Sequence, residues 1–171
     1  LIIVLIAAVV GIYLFVPSVG SRISYLLSPE YIVSSLRGGR LVRWQTGLNM
    51  FMENFIFGVG LGHFGGAVAM NNNIPGTFYM DNYYLKTAVE GGILGLGAFL
   101  ILVVNVMIWG MRTIYRLGRV QDRERFNFAV SIFSGLAGVL AHNLVENVFE
   151  VPMMNTYFWL LTAVLMYIWY E

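Results

Sequence analysis

The chain contains no cysteine, which excludes disulfides and thiolate-bound metals but assigns no compartment. Charge is scarce as well: 11% of residues are Asp, Glu, Lys or Arg, against about 25% in a soluble domain. The ten bases and nine acids nearly cancel, so there is no global basic field of the kind that attracts nucleic acid. A His-Glu-x-x-His zinc helix is missing, as is the Gly-Lys-Ser/Thr ending of a nucleotide P-loop. No cofactor is therefore expected. The opening LIIVLIAAVVGIYLFVP has neither an initiator Met nor a basic leader, so it does not read as a signal peptide. What is abundant is hydrocarbon: 58% hydrophobic residues and a mean hydropathy of +0.74. This composition belongs in a bilayer.

The expected fold is an all-α integral membrane protein, a multipass transmembrane helical bundle with a large extracytoplasmic loop. Residues 1–16 are uncharged but shorter than the roughly 20 residues that cross the hydrocarbon core. They are expected to be the end of a helix that begins upstream, which would make the chain a fragment of a larger protein. Further spans are expected over 87–110, 127–147 and 153–171, with Trp109, Trp159 and Trp169 near their ends, where amphipathic rings favour the interface. All should be helical, because hydrocarbon offers backbone groups no outside partner. Residues 111–126 carry Arg112, Arg116, Arg119, Arg123 and Arg125, and a short basic connection stays cytoplasmic. Residues 17–86 then lie outside, as does the short turn 148–152.

The outer segment is the informative one. Pro17 and Pro29 mark a linker. In RLVRWQTGLNMFMENF, Trp44, Leu48, Phe51, Met52 and Phe55 recur at helical spacing, with Gln45, Asn49 and Glu53 on another face. That pattern predicts an amphipathic helix over about 40–56, lying on the membrane or packed over the bundle. Arg40 and Arg43 stand at its start. FGVGLGHFGG follows, where glycines permit positive φ and close backbone approach. Its bare amides suit a phosphate, but a tight turn explains the run equally well.

Polar residues then converge. Asp81 stands where a side chain would accept from the first amides of a helix, and Lys86 and Glu90 are spaced to pair. His142 and Glu146, like Asn143 and Asn147, are four apart, which on a helix puts each pair on one face. With His63, the first pair is a conceivable metal set, but no zinc signature supports it. By the topology above, Arg40, Arg43, His63, Asp81, Asn82, Lys86, His142 and Glu146 all face outward. Arginine forks suit phosphate oxygens, and a carboxylate or imidazole suits proton abstraction from a hydroxyl. Together they point to transfer chemistry on a phosphorylated, membrane-borne substrate.

GGRLVRWQTGLNMFMENFIFGVGLGHFGG resembles a stretch of the O-antigen ligase and polymerase superfamily, in which Gly-Arg and a Trp four residues later precede a helix and a Gly-Val-Gly-x-Gly-x-Phe turn. DNYYLKTAVEGGILGLGAFL resembles that family's His-Asn-x-x-Leu and Glu-x-Gly motif, and the match runs from about Gly38 to Leu100. The resemblance implies a GT-C-type glycosyltransferase in the bacterial cytoplasmic membrane, with its active face outside. It would act on glycans carried on undecaprenyl diphosphate, need no metal or nucleotide sugar, and form an inverted linkage to an acceptor glycan or lipid. Implied partners are that lipid-linked glycan, its acceptor, membrane lipids and other polysaccharide-assembly proteins.

By position, Arg40 would hold the diphosphate; Arg43 is added only as a nearby cation. The usual His is Asp81 here, followed by the expected Asn82. An ionised carboxylate can accept a proton but cannot donate to a diphosphate, so Asp81 would act as base or His63 would substitute. The form Asp-Asn-Tyr-Tyr-Leu-Lys leans toward a polymerase rather than a ligase, inactive as this fragment alone. The rival readings are a transporter or exporter subunit, in which these charges line a pathway, and a membrane scaffold.

Overall fold

The computed structural model describes residues 17–26, 28–75, 78–120 and 122–170. The expected span over 1–16 lies outside the described residues. Among these residues the fold is helical without strands. It divides into two compact units, residues 1–43 and 44–171.

In the first unit, the proline-marked linker is two short helices, α1 (Pro17–Leu26) and α2 (Pro29–Leu36). Each proline stands at a helix start, where its missing N–H is not needed. Ser28 caps α2 by accepting the Tyr31 N–H at 3.2 Å. The Tyr25 and Tyr31 rings meet edge to face at 5.7 Å.

Helix α3 (Arg40–Glu53) begins at the last residues of the first unit and continues into the second. The second unit then adds α4 (Gly66–Asn71), α5 (Tyr83–Val120), α6 (Arg123–His142), a 3-10 turn (Val148–Glu150) and α7 (Pro152–Tyr170). Helices α5, α6 and α7 share a core that includes Val106, Ile132, Leu136, Phe158 and Leu165. A second cluster gathers Trp44, Met50 and Phe51 of α3 around Phe64, Met80 and Val89. The stripe predicted for α3 is thus split. Trp44 and Phe51 pack inward, whereas Leu48, Met52 and Phe55 are exposed.

Two predicted boundaries are corrected. The basic stretch expected as a loop over 111–126 is mostly helix: Arg112, Arg116 and Arg119 stand on α5, and Arg123 and Arg125 open α6. Arginine is a good helix former, and these side chains lie over aromatic rings, Arg116 on Trp169 and Arg119 on Tyr115. Asp122 caps α6 by accepting the Arg125 N–H at 3.1 Å. The segment expected as a helix to Asn147 ends at His142. There the buried Asn143 turns the chain: its side chain donates to the Val139 carbonyl and accepts from Phe149 N–H, and its own carbonyl accepts from Tyr83 N–H. His142 and Glu146 therefore do not share a helix face.

Helix α5 is the one among the described residues long and apolar enough to cross a membrane. It is broken at Gly92, whose φ of 63° and ψ of −166° lie in a region open essentially to glycine alone. An unbroken helix would join Ile93 N–H to the Val89 carbonyl and Leu94 N–H to the Glu90 carbonyl. Here the glycine-rich turn after α3 takes both places. Val89 accepts from Val59 N–H at 2.9 Å and Glu90 from Gly60 N–H at 3.0 Å, while Ile93 and Leu94 donate to Phe55 and Ile56 at 2.7 and 3.5 Å. Two helical bonds are exchanged for four between segments. The approach leaves no room for side chains: a Cβ on Gly92 would strike the Ile56 carbonyl, and one on Gly58 (φ +71) the Glu90 carbonyl.

Adjacent glycines should therefore behave oppositely. Gly92→Ala combines a forbidden conformation, about 1–3 kcal/mol, with a backbone collision, and should lower the unfolding midpoint in detergent sharply. Gly91→Ala faces open space and should be neutral or gain up to ~1 kcal/mol of helix propensity. Equal midpoints for the two variants would contradict the interlock.

Candidate functional site

Just before the break in α5, a carboxylate stands on each side of one lysine, one from the same helix and one from the 3-10 turn. Lys86 and Glu90 lie one turn apart, and Lys86 Nζ stands 3.0 Å from Glu90 Oε2 and 3.0 Å from Glu150 Oε1. The second contact is an ion pair by distance but lies off the direction of a good hydrogen bond. Lys86 and Glu90 are buried and Glu150 nearly so. The remaining carboxylate oxygens hold the glycine-rich segment: Phe64 N–H donates to Glu90 Oε1 and Ala67 N–H to Glu150 Oε2, each at 3.1 Å. Gly66 allows this approach, because a Cβ there would overlap the Glu150 carboxylate. Three segments distant in sequence thus meet at one ion triad.

This arrangement decides between the readings of FGVGLGHFGG. The amides of Val59 and Gly60 are spent on α5 carbonyls, and those of Phe64 and Ala67 on carboxylates. The run docks protein on protein, and these amides are not available to cradle a phosphate.

Asp81 does not cap α5; Asn82 does, its Oδ1 accepting the Leu85 N–H at 2.9 Å. Asp81 is buried and its Oδ1 accepts the indole N–H of Trp44 at 2.9 Å. Trp44, which the sequence marks as an apolar stripe position and as the Trp of the Gly-Arg motif, thereby fixes the carboxylate. Near it, the Tyr79 hydroxyl donates to Glu146 Oε1 at 2.9 Å. Partial burial, the Glu146 acceptor and the nearby charges of Glu150 and Asp81 push the Tyr79 phenol up to about 12. It therefore stays protonated, and a donor, at any physiological pH. Beside Glu146, Asn147 is almost fully buried, and neither polar atom of its side chain has a hydrogen-bond partner.

In the first unit, Arg40 is the first residue of α3, and with Arg43 it lines a shallow depression with Tyr25, Tyr31, Ser34 and Ser35. The first amides of a helix have no intrahelical acceptor, and its dipole adds positive potential there. The Ser34 hydroxyl is engaged with the Tyr31 carbonyl at 2.9 Å, so the cationic character of this surface comes from Arg40, Arg43 and the helix start.

The remaining predicted residues are dispersed. His63 is exposed, its Nδ1 lying 3.1 Å from the Leu61 carbonyl of its own turn. His142 is exposed at the end of α6. Among the described residues, no group of three His, Cys, Asp or Glu side chains could hold a metal ion. Sequence reasoning missed Tyr79, and the four-residue spacing sets Glu150 in series with His142 and Glu146, whereas the structure pairs it with Lys86. The spacing of Lys86 and Glu90 does announce their pair; nothing local connects Glu150 to it.

A family model described as O-antigen ligase matches residues 1–100. No curated protein and no solved structure matches the chain.

The triad should be strongly coupled. Lys86→Met leaves two buried carboxylates facing each other, and losing one partner of such a group costs about 3–5 kcal/mol. Glu150→Gln in the same background should restore part of that loss in detergent unfolding. Additive losses would show that Lys86 and Glu150 do not interact.

Proposed function

The chain belongs to the O-antigen ligase family, whose members are membrane proteins, and on that premise we propose that it polymerises or ligates glycans carried on undecaprenyl diphosphate. The observation that carries this reading is the position of the family match. It includes Arg40, Asp81 and the two interlocked motifs, the Gly-Val-Gly-x-Gly-x-Phe turn and Glu90-x-Gly92.

In the proposed reaction an acceptor hydroxyl attacks the anomeric carbon, the bond from that carbon to the diphosphate oxygen breaks, and the configuration inverts. The leaving undecaprenyl diphosphate gains negative charge, which Arg40 would stabilise, with Arg43 beside it. Fixed cations aimed at developing charge act most strongly where water is excluded. The hydroxyl proton would go to Asp81, which Trp44 orients. Asp81 takes the place of a histidine in the resembled motif, and a carboxylate serves as proton acceptor but not as phosphate donor.

Tyr79 and Glu146 would form the acceptor side. A carboxylate and a phenol exchange hydrogen bonds readily with sugar hydroxyls. Lys86, locked between two carboxylates, acts in this scheme by holding the turn and α5 together. The proposed location is the bacterial cytoplasmic membrane, with the reaction at its outer face. The Asp-Asn-Tyr-Tyr-Leu-Lys stretch favours polymerase over ligase.

Arg40→Ala in the full-length protein should abolish polymer or ligated product while membrane levels stay normal. Asp81→Asn keeps an acceptor for the Trp44 indole but loses the base, and should cut the rate by about 10²–10⁴-fold without altering the unfolding midpoint. Product of normal amount and length from both variants would sink the glycosyltransferase reading. Lipid-linked units accumulating on the cytoplasmic side would indicate transport instead.

A further inference from the structure

The turn that interlocks with α5 carries an apolar surface that the proposed reaction does not use. From Asn54 to Gly62 there is no charged residue. Phe57 is 76% and Leu61 83% exposed, and Phe55, Ile56 and the α3 residues Leu48 and Met52 are exposed beside them in sequence. Side chains this large and this open to solvent would be a liability in water.

The position of this surface follows from α5. Between Glu90 and Arg112 the chain has no charge, from Gly91 to Met111. About 20 residues cross the hydrocarbon core, so this stretch is one membrane thickness and its two ends are the boundaries. The turn is bonded to α5 at Val89, Glu90, Ile93 and Leu94, at one of those boundaries. Exposed apolar residues continue from there along α5 through Leu94 and Ile101. The apolar surface of the turn is thus contiguous with the side of the crossing helix that faces lipid.

Irregular backbone is tolerated at membrane depth only where its polar groups are satisfied by protein. This turn meets that condition at its tightest point. The Phe55 and Ile56 carbonyls and the Val59 and Gly60 amides are all bonded to α5, and Gly58 N–H donates to the Asn54 carbonyl at 2.8 Å. On α3 the polar stripe of Gln45, Asn49 and Glu53 runs alongside the apolar Leu48 and Met52, with Asn49 one 100° step round from Leu48 and Glu53 one step round from Met52. A polar and an apolar stripe thus adjoin on the exposed side of one helix.

We infer that the Phe55–Leu61 turn is a lipid-immersed anchor, seated among the acyl chains of membrane lipids at the boundary where α5 enters the bilayer. Phe57 and Leu61 are its deepest side chains. The inference rests on membrane placement, not on the proposed reaction, and it stands or falls independently of Arg40 and Asp81.

Because this chain holds no cysteine, single thiols can be introduced cleanly. Phe57→Cys and Leu61→Cys would be made in an otherwise thiol-free full-length protein, labelled with a nitroxide and reconstituted in phosphatidylethanolamine–phosphatidylglycerol vesicles. Collision rates with oxygen, which concentrates in hydrocarbon, and with a water-soluble nickel chelate would then be compared. Ile101→Cys on the exposed side of α5 and Asn49→Cys on the polar sector of α3 supply the lipid and water references. The expected oxygen-to-nickel ratio at positions 57 and 61 matches position 101 and exceeds position 49. A ratio like that of position 49 would put the turn in water and overturn the inference. Labels that neither reagent reaches would show a second copy or a protein partner covering the turn, and would overturn it too. A water-like ratio at position 101 would remove the membrane placement, and the inference with it.

Discussion

Everything in the second unit depends on the exchange of hydrogen bonds at Gly92. A helix cannot turn its carbonyls to accept from another segment without losing internal bonds, and an unpaired amide in a dry environment is expensive. The glycine-rich turn solves both problems at once by accepting from the amides and donating to the carbonyls that the break releases. The turn is therefore held by backbone bonds as well as by the packing of Val59 and Phe64 in the second cluster. This fixes the end of α3, the path to α4 and the direction in which Glu90 projects.

The ion triad depends on that geometry. Glu90 is anchored on both sides, by Lys86 from its own helix and by Phe64 N–H from the turn. Glu150 repeats the pattern with Lys86 and Ala67 N–H. Buried charges are tolerated where each is paired and its remaining capacity is met by hydrogen bonds, and here backbone amides supply that remainder. Removing charge from water at this place ties the 3-10 turn before α7 to the start of α5. The Tyr79–Glu146 pair, in the chain just outside these two anchors, inherits its position from them.

Several of these features were legible in the sequence to different degrees. The hydrophobic run after Lys86 announces α5, and the spacing of Lys86 and Glu90 announces their pair, because both are local, periodic signals. The limits of local reading show at Asp81 and at His142. Asp and Asn are equally good caps, so only the backbone path decides that Asn82 caps and Asp81 meets Trp44. Apolar periodicity through Val145 runs past the true end of α6, because the competing bonds of Asn143 come from Phe149 and Tyr83. Charge alone suggests a loop for the arginines after Trp109, but helix propensity and aromatic neighbours carry them onward as helix.

Membrane character, the helical class and the family motifs follow from the amino-acid sequence, since each is written in composition or in short-range spacing. What the glycines of FGVGLGHFGG are for, and which groups surround the polar entrance of α5, emerge with the folded chain. Both depend on contacts between segments separated by tens of residues along the chain, and no local pattern encodes such a meeting. The glycines record that two backbones must touch; which backbone they touch is settled only when the chain has folded.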